Sequence, residues 1–130
     1  MDGESGMKCE SAYDEKHALV RVVYTGPSTL EDYIEGAKTA LDFFKKHRTE
    51  RCLLDLRKVE NKAGLDSLFE LPDAYRMMNV PMKTRLAILA TRDESEEPSI
   101  LFYETICLNR GWMVKVFYGE AEAIDWLSAR

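Results

Sequence analysis

Two short apolar runs, Cys52-Leu53-Leu54-Asp55-Leu56 and Leu86-Ala87-Ile88-Leu89-Ala90, constrain the fold of this chain more than any other feature. Each is too short for an independent helix and too uniformly apolar for a strand with one wet face. Both therefore read as strands buried on both sides, and such strands belong to parallel sheets covered by helices. The sequence between and around them supplies those helices. Leu30, Tyr33, Ile34, Ala37, Leu41 and Phe44 recur at helical spacing and form one apolar stripe, which ends in the basic run Lys45-Lys46-His47-Arg48.

The remaining elements follow from local signals. Ala18–Tyr24 reads as a strand that Gly26-Pro27 breaks, with Lys8–Tyr13 paired to it across the polar turn Asp14-Glu15-Lys16-His17. Ser28-Thr29-Leu30-Glu31 is expected to start the first helix as a capping box, the Ser28 hydroxyl accepting a free helix N–H while Glu31 reaches back. A polar loop through Asn61 and Gly64 leads to a helix over about Leu65 to Met78, which Pro72 should bend or split. Asp93 to Pro98 is an acidic, proline-marked helix start, and that helix should stop at Asn109-Arg110-Gly111. Met113–Phe117 is the last strand, and Gly119 opens a final helix with Ala123, Ile124 and Leu127 facing inward. The expected fold class is α/β: a mixed, mostly parallel five-stranded sheet with flanking helices, in the order ββαβαβαβα. Only the leading strand runs antiparallel. With 130 residues the chain suits one domain, expected over 13–130 after a loose N-terminus, 1–12, that holds a first edge strand.

Composition excludes several functions. Apolar residues at 45% and charged residues at 32% fit a folded globular protein, and no apolar run approaches the roughly 20 residues of a membrane span. Met1 to Lys8 is polar and lacks the apolar core of a signal peptide, so the expected location is cytoplasmic. A net charge of -5 argues against nucleic-acid binding. Cys9, Cys52 and Cys107 are odd in number and far apart, which suits reduced core thiols and neither a disulfide framework nor a zinc site. Gly26 and Gly119 belong to no glycine-rich phosphate loop, so no cofactor is implied.

In an open parallel sheet ligands lie at the carboxyl ends of the strands, here Tyr24 to Pro27, Asp55 to Lys58, Thr91 to Asp93 and Phe117 to Gly119. Both histidines, His17 and His47, belong to the opposite rim, out of reach of a nucleophile at those loops. Asp55 is better suited to accepting backbone hydrogen bonds than to phosphorylation, because Tyr24-Thr25-Gly26 offers no acidic partners for magnesium. Tyr75, Met77, Met78, Val80 and Met82 form an apolar, methionine-rich stretch that is mostly core, but is also able to close over a lipid-like ligand or a partner helix.

The order of elements, the strand ending Leu54-Asp55-Leu56, Asn109-Arg110-Gly111 leading into Val114-Lys115-Val116-Phe117, and the closing Glu122-Ala123-Ile124-Asp125-Trp126-Leu127 resemble the STAS superfamily, specifically its SpoIIAA-like branch. The resemblance spans Tyr13 to Arg130. It implies a role in binding other proteins, or small apolar or anionic ligands, without catalysis. In that family's anti-sigma-factor antagonists a serine in an Asp-Ser-Ser-Gly-like motif is phosphorylated. This chain has Ala63-Gly64-Leu65-Asp66-Ser67 instead, which leaves Ser67 a weak phosphosite and a better surface residue.

The leading expectation is a non-enzymatic regulatory or protein-interaction domain with another protein as partner. The alternative is a small-molecule or lipid-binding module with an apolar cleft at the carboxyl ends of the strands. An enzyme requires Asp55 or Asp93 to work with a metal or cofactor. The expected interaction or ligand surface comprises Gly26, Asp55, Arg57, Lys58, Ser67, Tyr75, Met78, Met82 and Arg92. The edge strand of the opening hairpin permits a homodimer without requiring one.

Overall fold

The computed structural model describes residues 9–129; the expected loose segment Met1 to Lys8 lies outside them. Five strands and four helices alternate in the expected order. Strand β1 (Cys9–Asp14) pairs antiparallel with β2 (Leu19–Ser28), and β3 (Arg51–Asn61), β4 (Arg85–Leu89) and β5 (Met113–Phe117) follow in parallel, so sheet order equals chain order. Helices α1 (Leu30–His47), α2 (Leu65–Met77) and α3 (Glu97–Asn109) form a layer on one face, with α2 between the other two. Helix α4 (Glu120–Ser128) covers β3, β4 and β5 from the other face. Among the described residues no helix is long and apolar enough to cross a membrane.

The hairpin of β2 and β3 departs from expectation. Gly26-Pro27 does not break β2, which runs to Ser28 with Pro27 opposite Glu60, and the expected polar loop up to Asn61 is the second half of β3. Among the described residues β1 accompanies β2 only as far as Tyr24, so Pro27 sits where one side of the strand has no partner and its missing N–H costs no ladder bond. Val23 pairs with Asp55 and Thr25 with Lys58, which gives β3 one extra residue. That bulge shifts the alternation: Cys52, Leu54 and Leu56 face the three-helix layer, and beyond the bulge Val59 and Asn61 do.

The first helix starts one residue later than Ser28-Thr29-Leu30-Glu31 suggests. Ser28 is still strand, fully buried, with its hydroxyl donating to the Gly26 carbonyl at 3.2 Å. Thr29 is the cap: its hydroxyl accepts the Asp32 N–H at 3.3 Å, and the Asp32 carboxylate accepts the Thr29 N–H at 2.8 Å. Pro72 does not split α2, because its ring is fully buried and packing holds the helix across the missing hydrogen bond. Gly111, at φ +89, closes α3 as the sequence indicates.

Candidate functional site

The two faces of the sheet are packed differently. Beneath α4, Leu19, Leu53, Ala87, Leu89, Ala123 and Leu127 are all 1% exposed or less. On the other face Leu54 and Leu86, in the two central strands, remain half-buried. Side chains in the middle of a sandwiched sheet stay accessible only if the layer above leaves a hole. The hole is a cavity of about 120 Å³ between the sheet and α1, α2 and α3.

Small residues on α1 create it. Ala37 and Ala40 line the cavity where larger side chains would fill it, Gly36 lines it with Tyr24 packed close against its backbone, and α2 contributes Leu68, Leu71 and Tyr75. From α3 come Ile100, Tyr103 and Cys107, and the floor is built from inward residues of β2 to β5 such as Val22, Leu54, Leu86 and Val114. At about 24 cal/mol per Å³, an empty cavity of this size forgoes about 3 kcal/mol of stability.

Polar groups mark the cavity's margins. Near the carboxyl ends of the strands, the Tyr33 hydroxyl donates to Asn61 Oδ1 at 2.8 Å and the Asn61 N–H donates to Glu96 Oε1 at 3.0 Å. The Tyr75 and Tyr103 hydroxyls hydrogen-bond to each other at 2.7 Å, and burial pushes both phenols above the ordinary tyrosine range. Burial likewise pushes the Cys52 and Cys107 thiols up to about 12, so both are neutral core groups at neutral pH.

The expected surface residues do not converge on one site. Tyr75 lines the cavity, and Met78, at the end of α2, packs half-buried on the same core. Asp55 and Arg57 lie on the α4 side. Asp55 accepts the Arg57 backbone N–H at 3.0 Å and two guanidinium contacts at 3.0 and 2.8 Å, within the strand and not in a following loop. Burial acts to raise the Asp55 pKa, and the bonds and charge of Arg57 outweigh it, so the group is held below its ordinary value. Gly26, at φ +75, and Lys58 are neighbours on the β2–β3 ribbon, opposite Val59 and Thr25. Ser67 is half-buried in the first turn of α2, Met82 is exposed beside Gly111, and Arg92 lies 3.8 Å over the Tyr118 ring.

His17 and His47 sit at the amino rim, as the sequence indicates. The His47 ring stacks on Tyr13 at 3.8 Å. His17 is separated from Asp55 by a chain of side-chain contacts through Asp14, Arg21, Glu120 and Arg57, each 2.8 to 3.7 Å long. Among the described residues no group of three His, Cys, Asp or Glu side chains is placed to hold a metal ion. Sequence reasoning missed Thr84 and Trp112, which line the cavity. The available signal was period two, which puts them on the same face as Leu86 and Val114.

The architecture matches a solved structure. An uncharacterised protein of the DUF3478 family from Shewanella loihica PV-4, described as having a SpoIIAA-like fold, superposes with a TM-score of 0.59 over 92% of this chain and 91% of that one, at 16% identity. The fold is SpoIIAA-like. At that identity the likeness concerns the fold alone. No protein-family model matches the sequence, and no curated protein matches it.

Proposed function

We propose that this SpoIIAA-like domain binds a small apolar molecule in the cavity between the sheet and its three-helix layer, holding it without transforming it. The supporting observation is the contrast between the faces: one is packed shut and the other keeps a cavity of about 120 Å³ with an almost wholly hydrocarbon wall. Engineered apolar cavities of about 150 Å³ bind benzene or xenon. This cavity takes a ligand of that order in the conformation described.

Benzene and cumene are suitable probes. A saturating probe should raise the melting temperature by about 2–5 °C, as expected for a ligand that binds the folded state alone. Ala40→Leu, which extends a side chain from α1 into the cavity, should abolish that rise while the circular dichroism spectrum stays unchanged. A wild-type protein whose melting temperature ignores both probes would sink this reading.

A second reading, a regulatory domain that binds another protein, is favoured by the outer face of α2. Leu65, Phe69 and Met77 lie at multiples of four residues and are 55%, 49% and 84% exposed. Phe69→Glu with Met77→Glu should then remove a partner that the wild-type protein retains from the native cell extract. Identical recoveries from the two would count against it.

A further inference from the structure

Tyr33, Asn61, Glu96 and Ser99 line the cavity near the carboxyl ends of the strands, and all four keep solvent access as half-buried residues. Deeper in the same wall Ile100, Tyr103 and Cys107 are 1 to 5% exposed. The cavity is thus polar and accessible at this end.

The internal bonds of this margin leave it short of donors. Tyr33 donates its one O–H to Asn61 Oδ1 at 2.8 Å, and Glu96 Oε1 accepts the Asn61 backbone N–H at 3.0 Å. The Tyr33 oxygen and the second carboxylate oxygen of Glu96 can then only accept. Burial and, after it, the charge of Glu96 push the Tyr33 phenol above the ordinary tyrosine range, so it is neutral at neutral pH. Among the described residues Glu96 enters no ion pair: Lys62, near enough to feel its charge, pairs with Glu60 at 2.6 Å. Among the described residues no Lys, Arg or His lines the cavity either. Glu96 therefore supplies the one formal charge of the wall, in a chain whose net charge is already -5.

We propose that Glu96 pairs with a protonated amine, and that the ligand is a small apolar amine whose hydrocarbon or aromatic body fills the cavity while its ammonium group lies at the carboxyl margin. This rests on the cavity being a ligand site. An ammonium group carries three donors and no acceptor, which matches a margin whose free oxygens can only accept. At a half-buried position it keeps part of its hydration, so the penalty for burying a charge stays small. Tyr33 and Tyr75 are half-buried aromatic residues of the same wall, and aromatic faces attract cations as well. A ligand with a carboxylate would instead meet Glu96 as a like charge.

Benzylamine and ethylbenzene separate charge from shape, because an ammonium group replaces a methyl group on the same frame. Binding of each at pH 7 is followed by ¹H–¹⁵N NMR titration of the wild-type protein, Glu96→Gln and Ala40→Leu. Glu96→Gln keeps an oxygen for the Asn61 N–H and removes the charge. It should weaken benzylamine about tenfold or more, in keeping with the loss of a hydrogen bond to a charged group, and leave ethylbenzene within about twofold. Ala40→Leu should weaken both probes, because it fills the space that the ring would take. If Glu96→Gln weakens both probes equally or neither, or if the wild-type protein binds ethylbenzene and not benzylamine, the amine is wrong and the cavity stands. Benzylamine binding that survives Ala40→Leu would be a surface ion pair only and would overturn the proposal. If neither probe binds the wild-type protein, the cavity reading fails and the amine with it.

Discussion

The Tyr75 hydroxyl on α2 and the Tyr103 hydroxyl on α3 lie 2.7 Å apart in a direct hydrogen bond on the cavity wall. Two helices that share a cavity lose part of the apolar contact that would otherwise join them, and this bond ties them instead. Tyr103→Phe leaves the Tyr75 hydroxyl buried without its partner and should cost about 1–2 kcal/mol. Tyr75→Phe should do the same, and the double variant should cost less than the two singles added. Urea unfolding of the four proteins gives the coupling, and strict additivity would show that the bond contributes nothing.

Gly36 permits the close approach of α1 to β2. A methyl group there would lie 1.9 Å from the Tyr24 hydroxyl oxygen and 2.9 Å from the Cys9 sulfur. Tyr24 cannot simply turn away, because it is 4% exposed and its hydroxyl donates to the Tyr33 carbonyl at 3.3 Å. Overpacking of this kind costs about 1–3 kcal/mol or more, which outweighs the helical preference for alanine. Gly36→Ala should therefore lower the melting temperature by several degrees. Adding Tyr24→Phe, which removes the clashing oxygen, should recover part of the loss. A Gly36→Ala protein as stable as wild type would mean that α1 can slide without penalty.

The sequence was informative where burial leaves a simple pattern and uninformative where a neighbouring strand or a void decides. Cys52–Leu56 and Leu86–Ala90 were legible because strands buried on both faces need apolar residues at every position. Gly26-Pro27 misled because strand continuation there depends on Arg57–Asn61, a polar segment recognisable as strand only by its pairing with β2. The capping box slipped by one residue because Ser28 and Thr29 are both good caps, and only the pairing of Ser28 with Asn61 decides between them. The cavity was hidden for another reason. Ala37 and Ala40 are ordinary small helix residues in the sequence, and what matters is that nothing across from them fills the space. Thr84 and Trp112 fall just outside the apolar runs, so the runs themselves do not mark them.

Asp14 should make the fold sensitive to acid. Its carboxylate accepts from the His17 ring and backbone N–H and from Arg21, and the His17 side-chain bond does most to lower its pKa from 3.8 to about 2. The unfolded chain binds this proton more readily than the folded one. The resulting stability is complete above about pH 4 and disappears as pH falls through about 2, for a loss of no more than about 2 kcal/mol. Asp14→Asn should be less stable at pH 6 and should show a flatter stability profile between pH 4 and 2. Parallel profiles for the two proteins would place the acid sensitivity elsewhere.

The thiols should separate into two kinetic classes under a thiol-specific disulfide reagent at pH 8. Cys52 and Cys107 are 4% and 1% exposed, and burial holds both near 12, so the reactive thiolate is scarce and the reagent has no path to it. Their labelling should wait for unfolding and follow its rate, accelerating with sub-denaturing urea. Cys9, on the edge strand, is half-buried, and its pKa is raised chiefly by that burial. It should react in the native state, more slowly than a free thiol. The cavity adds a specific expectation, because Cys52 and Cys107 both line it. Saturation with benzene should slow their labelling further and leave Cys9 unchanged. If benzene leaves the labelling of Cys52 and Cys107 unchanged, it does not occupy the cavity of the folded protein.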